Sequence, residues 1–280
     1  MMVDKAYTNP DLLWSPQELA ARLSDPNLRL IDVRPTHMLV QEGWIAGAAH
    51  CDLFGISLNN TAPEPLQAFM WAIEHLLEFR GVSLDTPVVF YEEIAGMRAA
   101  RGFWLVEYLG HADAHVLDGG FHAWKAAGLP ISHDMQAPKV TKFRSRPRPE
   151  LHWSADDLYT HLRDPDLAII DTRTDDEYLG KSIRAARGGT IPGAIHLEWT
   201  KNLDAHGAFK TGPELRAMYE AKGITPEKTC ASFCQGGYRS SHTLLALRLL
   251  GYPKLRNFIG SWQEWGDRPD LPIEQPTALA

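Results

Sequence analysis

The sequence predicts an α/β fold of two tandem copies, each a mainly parallel sheet flanked by helices on both faces. Short apolar runs alternate with amphipathic stretches along the chain, the pattern of strands and covering helices. The second half also repeats the first. Finally, a cysteine stands between an apolar run and a helical stretch, joined to it by a Gly-rich turn, which places the chemistry in the second copy.

The repeat is read by laying the sequence on itself. Trp14-Ser15 matches Trp153-Ser154, Asp25-Pro26 matches Asp164-Pro165, and Ile31-Asp32-Val33-Arg34 matches Ile170-Asp171-Thr172-Arg173, all at an offset of 139. The offset becomes 146 where Gly43-Trp44-Ile45-Ala46-Gly47-Ala48-Ala49-His50 meets Gly189-Thr190-Ile191-Pro192-Gly193-Ala194-Ile195-His196, so seven extra residues lie within 174–188 of the second copy. It settles at 141, pairing Arg98 with Arg239, Gly110 with Gly251, Gly119 with Gly260 and Trp124 with Trp265. In the second half the expected order is a helix at 155–163, a strand at 168–171, an extended piece at 194–197 and a helix at 213–221. A strand at Thr229–Phe233, a turn and a helix over 240–250 follow, with Leu244, Leu245, Leu247 and Leu250 on helical spacing. Between 132 and 150 the chain carries three prolines and five Lys or Arg with little apolar periodicity, as an exposed linker would. The expected division is a first domain at 1–135, a linker at 136–150 and a second domain at 151–280.

Composition narrows the function. At 280 residues, 44% hydrophobic and 22% charged, the chain reads as an ordinary globular protein with two cores. A net charge of -7 argues against a nucleic-acid surface, and no apolar run approaches the roughly 18 residues of a membrane span. Residues 1–11 lack the basic-then-apolar layout of a secretory signal, so cytoplasm is the expected compartment. Three cysteines, at 51, 230 and 234, make no disulfide framework and have no metal-ligand spacing. His111 and His115 are four apart, but the Gly110-His111-Ala112-Asp113 context reads as a turn with surface histidines, and no metal site is expected.

Cys234 opens Cys234-Gln235-Gly236-Gly237-Tyr238-Arg239-Ser240. A thiol at this strand end faces the N–H groups of the turn and the positive end of the next helix, which stabilise an anion and lower a thiol pKa from about 8.5. Glycines at 236 and 237 permit the torsions and close approach such a cradle needs. Arg239 either adds positive charge at the helix entrance or ties the loop to a carboxylate. The first copy offers Tyr91-Glu92-Glu93-Ile94-Ala95-Gly96-Met97-Arg98 instead, with no thiol. Adjacent Glu92 and Glu93 point apart, with no evident partner, Cys51 reads as packing, and Phe103, Trp104 and Tyr108 read as core. The first half is therefore expected to form a supporting wall at the mouth of the site. A dual-specificity phosphatase would place five residues between Cys and Arg, whereas four stand here. A non-catalytic relay module would not need the intact loop.

Together, the tandem halves, the two Ile-Asp-x-Arg strand ends, the segments 43–50 and 189–196, the Cys234 loop and the closing Gly260-Ser261-Trp262-Gln263-Glu264-Trp265 resemble a two-domain rhodanese. The resemblance implies two tandem rhodanese-like domains and a thiosulfate or 3-mercaptopyruvate sulfurtransferase. It further implies a persulfide on Cys234, neither metal nor organic cofactor, and a small anionic sulfur donor. A thiol or cyanide acceptor, a protein cysteine among the candidates, takes the sulfur. A monomer is expected. In that family the strand end at Asp171 and Arg173 borders the active-site loop, but its repetition at Asp32 and Arg34 favours a structural role. Glu177 departs from the family, whose thiosulfate and mercaptopyruvate enzymes have an Arg there to hold the substrate anion. Lys181, Arg184 and Arg187 in the inserted segment either supply that cation or face solvent.

Overall fold

The computed structural model describes residues 4–134 and 137–279 and contains two all-parallel sheets. In the first copy the order is β1 (Leu13–Trp14), α1 (Pro16–Arg22), β2 (Arg29–Asp32), α2 (Thr36–Glu42), β3 (Ala48–His50), α3 (Pro63–Glu78), β4 (Val88–Tyr91), α4 (Met97–Tyr108), β5 (Ala114–Leu117) and α5 (Gly120–Ala126). The second runs α6 (Ala155–Thr160), β6 (Leu167–Asp171), α7 (Asp175–Tyr178), β7 (Ile195–His196), α8 (Gly212–Glu220), β8 (Thr229–Phe233), α9 (Tyr238–Leu249), β9 (Leu255–Asn257) and α10 (Ser261–Trp265). Sheet orders are β1-β5-β4-β2-β3 and β7-β6-β8-β9. In the second sheet a single parallel bridge, His152 to Asn257, stands where β1 stands in the first. The central strands are buried along nearly their whole length, as continuous apolar runs in a covered parallel sheet must be.

The duplicated motifs turn out to be fold-forming devices. Ser15 and Ser154, each following its Trp, cap α1 and α6 in reciprocal capping boxes with Glu18 and Asp157. In each Ile-Asp-x-Arg the arginine folds back on its own aspartate and reaches the next segment. Arg34 Nη2 donates to Asp32 at 2.6 Å and to the Gly43 carbonyl at 2.7 Å. Arg173 Nη2 does the same to Asp171 at 2.6 Å and to Gly189 at 2.7 Å. Both pairs are buried. The pair thus staples the strand end to the start of the 43–50 or 189–196 segment.

One apolar cluster spans both copies, and each copy keeps a smaller cluster of its own. Helices α4 and α9 pack against each other, both almost wholly buried, as a helix covered on every side requires. Phe103 and Trp104 lie in one apolar cluster with Leu244 and Leu247. The N-terminal segment crosses over, the Thr8 and Asn9 amides donating to the Leu249 carbonyl at 2.9 and 3.1 Å.

One expectation is refined by the structure and one is corrected. The connection after the first copy is exposed over most of its described length, but it is tied to that copy: Thr141 donates to the Glu78 and Val82 carbonyls, the Arg146 and Arg148 amides donate to Leu109 and Tyr108, and Phe143 is buried. The expected junction at 135–136 and the outer bounds at 1 and 280 fall outside the described residues. His111 and His115 are buried, not on the surface. His111 bonds the Thr86 carbonyl, and His115 stacks on Trp14 and bonds the Asp11 carbonyl.

Removing one member of a buried ion pair strands the other. Asp171→Ala should therefore destabilise the protein by about 3–5 kcal/mol. The exposed Arg268–Asp156 pair, cut by Asp156→Ala, should cost no more than about 1 kcal/mol. Urea unfolding of the two variants checks the contrast.

Candidate active site

Strand β8 ends at Phe233, and the chain turns through Cys234 to Gly237 before α9 begins. Gly237 has φ of +86°, a left-handed torsion that disfavours any side chain, and an added Cβ would lie 2.5 Å from Arg101 Nη1. At Gly236 a Cβ would come within 3.1 Å of Ser57 Oγ. The turn brings the Gly237 amide to 3.1 Å from Cys234 Sγ. Burial pushes the Cys234 thiol up, but the charge of Arg239 and the amides of Ser240, Gly236 and Gly237 outweigh it and hold the thiol below its ordinary value. Cys51 and Cys230 have no such cradle; burial pushes both up, Cys230 to about 12.

The loop is held from behind by its own carbonyls. Cys234 O accepts from the Trp262 amide at 2.9 Å, Gln235 O from Gln263 at 3.0 Å, Gly236 O from Arg101 Nη1 at 2.8 Å and Gly237 O from Ser241 Oγ at 2.6 Å. The Cys234 amide donates to Ser261 Oγ at 3.1 Å. Ser261 has a φ of +55° at the start of α10. This explains the closing motif at 260–265: α10 presents its first amides to the loop.

A pocket of about 370 Å³ opens over Cys234, which lies at its floor with 1% exposure. Phe54, Ser57 and Met97 come from the first copy, and Arg184, Trp199, Arg239 and Gln263 from the second. Tyr238 ties the two sides together, its hydroxyl donating to the Leu53 carbonyl at 2.6 Å.

The candidate cations separate. Arg239 lines the pocket, but its guanidinium is held two-pronged by Glu177 at 2.5 and 2.9 Å, so it both charges the helix entrance and ties the loop to a carboxylate. Burial raises the Glu177 carboxyl, yet Arg239 and Thr174 bring it down to about 2. Arg184 also lines the pocket; it lies 3.3 Å from Glu177 with its side chain 55% exposed. Its backbone carbonyl accepts from Gln235 Nε2 at 2.8 Å. Lys181 takes the solvent-facing alternative, and Arg187 takes neither. Lys181 is exposed and outside the pocket lining, and Arg187 donates to the carbonyls of Trp265, Gly266, Arg268 and Leu271. Asp171 and Arg173 are spent on each other, beside the pocket and not in it.

Glu92 also departs from expectation. Its carbonyl accepts from the Phe121 amide as that of Cys234 does from Trp262, and Glu93 O accepts from His122 as Gln235 O does from Gln263. Glu92 is thus the counterpart of Cys234, and the first-copy loop is one residue longer. Its carboxylate has partners after all, the amides of Arg98 at 2.6 Å and Ala99 at 3.2 Å. Sequence reading also missed Arg101, Ser261 and the wall at 53–57. Only Ser261 had a signal, its place in the closing motif.

The rhodanese-like domain model matches the chain twice, at residues 15–127 and 154–268. A thiosulfate sulfurtransferase of Azotobacter vinelandii is 36% identical over 268 residues, 96% of this chain and 98% of that protein. A probable 3-mercaptopyruvate sulfurtransferase of Pseudomonas aeruginosa is 33% identical, covering 93% of this chain and 97% of that protein. Among solved structures, the anaerobic ergothioneine biosynthesis enzyme from Chlorobium limicola, in complex with trimethyl histidine, superposes with a TM-score of 0.82 at 24% identity. That match covers 96% of this chain and 71% of that one, a likeness of fold.

Burial pushes the Glu92 carboxyl up to about 7 from an ordinary 4.5, more than its amide partners lower it. As pH rises from about 4.5 to 7, the unfolded chain gives up a proton that the folded chain keeps, so stability falls across that window. Glu92→Gln should flatten the fall, read as the change in urea midpoint between those pH values. Glu177, whose pKa is depressed, acts in the separate window below about pH 4.5, where stability is lost on acidification.

Proposed function

The chain belongs to the rhodanese family, and on that premise we propose that it is a thiosulfate sulfurtransferase carrying sulfur as a persulfide on Cys234. One observation carries the reading: Cys234 lies at the floor of a pocket shared by the two copies with the Gly237 amide 3.1 Å from its sulfur, and of the three thiols it is the one drawn down, by Arg239 and the loop amides, where burial pushes the other two up. The thiolate attacks the sulfane sulfur of thiosulfate. A new S–S bond forms, the old one breaks, and sulfite leaves with the bonding pair, so one thiolate and one dianion become one persulfide anion and one dianion. Cyanide or a thiol then takes the outer sulfur and Cys234 returns as thiolate, a two-step covalent cycle. Negative charge stays on sulfur throughout, and the fixed amides solvate it without reorganising. Sulfur is itself nucleophile and carrier, so the cycle calls for no metal or organic cofactor.

Arg184 supports the choice of donor. It offers a half-free guanidinium at the pocket wall for the sulfonate end, in place of the cation that Glu177 does not supply. A reducing compartment such as the cytoplasm suits a protein whose three cysteines are all free. No described helix is long and apolar enough to cross a membrane. The shared core of the two copies is consistent with action as a monomer.

Incubation with thiosulfate should raise the protein mass by one sulfur atom, removable by cyanide and absent in Cys234→Ser. Phosphate-ester hydrolysis with no sulfur uptake would overturn the reading. Arg184→Ala should lower kcat/KM for thiosulfate about tenfold, as loss of a charge-assisted hydrogen bond does, while iodoacetamide still alkylates Cys234 at the wild-type rate. A larger turnover with 3-mercaptopyruvate than with thiosulfate would reassign the donor.

A further inference from the structure

We propose that Arg101, supplied by the copy without a thiol, is a positioning residue and the buried counter-charge for the anionic sulfur on Cys234. Arg101 lies on α4 with 1% exposure. Nη1 donates to the Gly236 carbonyl at 2.8 Å and Nη2 to Ile56 at 2.8 Å, while the guanidinium carbon lies 4.1 Å from the Tyr238 ring centroid. Both hydrogen bonds go to neutral carbonyls, and no described carboxylate pairs with it. An unpaired buried cation is costly; here it lies beneath a loop whose other side holds a sulfur anion. Holding the Gly236 carbonyl away from the sulfur also keeps the adjacent Gly237 amide aimed at it.

The pseudo-symmetry of the molecule supplies an internal comparison. The place of Arg101 is taken on α9 by His242, which bonds the Ala95 carbonyl of the first-copy loop at 2.8 Å, as Arg101 bonds Gly236. His242 is buried against Phe209, and burial pushes it down to about 4, so it is neutral at pH 7. Behind the neutral histidine, the acid in the cradle, Glu92, is pushed up; behind the arginine, the acid in the cradle, Cys234, is drawn down. Both loops have a helix-entrance arginine, but Arg98 is turned over the Phe54 ring, 4.4 Å from its centroid, whereas Arg239 is the nearer charge that draws Cys234 down, and Arg101 adds to it from below the loop. The other charges around Cys234 are Arg239 with its partner Glu177, Arg184 at the pocket wall, and the self-paired Asp171 and Arg173. Glu264 on α10 is turned to Thr61.

The inference builds on Cys234 as the sulfur carrier, but alkylation reports its thiolate whether or not sulfur moves. The test is the pH profile of Cys234 alkylation by iodoacetamide, with chemical unfolding as a control. Arg101→Gln should raise the apparent thiol pKa by about one unit, a tenfold loss of thiolate below it, and Arg101→Lys should keep most of the wild-type value. Arg101→His, taking the side chain of the symmetry-related place, is a second neutral variant and should shift like Gln. An unchanged profile in folded Gln or His variants overturns the proposal. So does an equal shift in Lys and Gln variants, which would assign the effect to hydrogen-bond geometry instead of charge. Failure of wild-type protein to take up sulfur would instead count against the persulfide.

Discussion

Turning the amides of a tight loop toward one sulfur forces the carbonyls of the same loop outward, and each carbonyl buried there must find a donor. Much of the molecule is arranged around that requirement. Helix α10 meets two of the carbonyls with its opening amides, Ser241 meets a third from within α9, and the fourth is reached by Arg101 from the opposite copy. The tandem architecture is therefore part of the site. Without the packing of α4 on α9, the Gly236 carbonyl would lose its partner and the wall at 53–57 would have no Tyr238 hydroxyl to hold it.

The duplication kept the frame and let the chemistry diverge. Both copies retain the Ile-Asp-x-Arg staple, the capped first helix and the loop tied down by a short closing helix. In one, the amides hold a thiol; in the other, a carboxylate fills them from within the chain. Glu92 thus fills its own cradle with a side chain that needs no ligand, and its loop faces the second copy, where Ala95 donates to the Gly207 carbonyl and accepts from His242.

The fold and the Cys234 loop were legible because their signals are local: strand, glycines and helix follow one another within about ten residues, and duplication tested each motif twice. Element ends shifted by a few residues, as with the helix expected at 155–163 that ends at Thr160, because the terminal turns are set by contacts beyond the window. What stayed hidden is long-range. Arg101 lies 135 residues from Gly236, and an arginine inside an apolar helix carries no mark of what it reaches. Glu92 was read as unpartnered because its partners are backbone amides, those of Arg98 and Ala99 at the start of α4, which residue identity does not display. Arg187 and Lys181 share a basic segment with Arg184, and only the path of the backbone separates a pocket side chain from a brace or a solvated charge.

The depth of Cys234 makes access to the two half-reactions unequal. At 1% exposure, the bare thiol at the floor of the pocket can be reached only by a slender donor. In the proposed persulfide the reactive atom would be carried about 2 Å further along the side chain, the length of an S–S bond. A cargo held nearer the rim in this way would let a bulkier recipient collect what it could not have delivered.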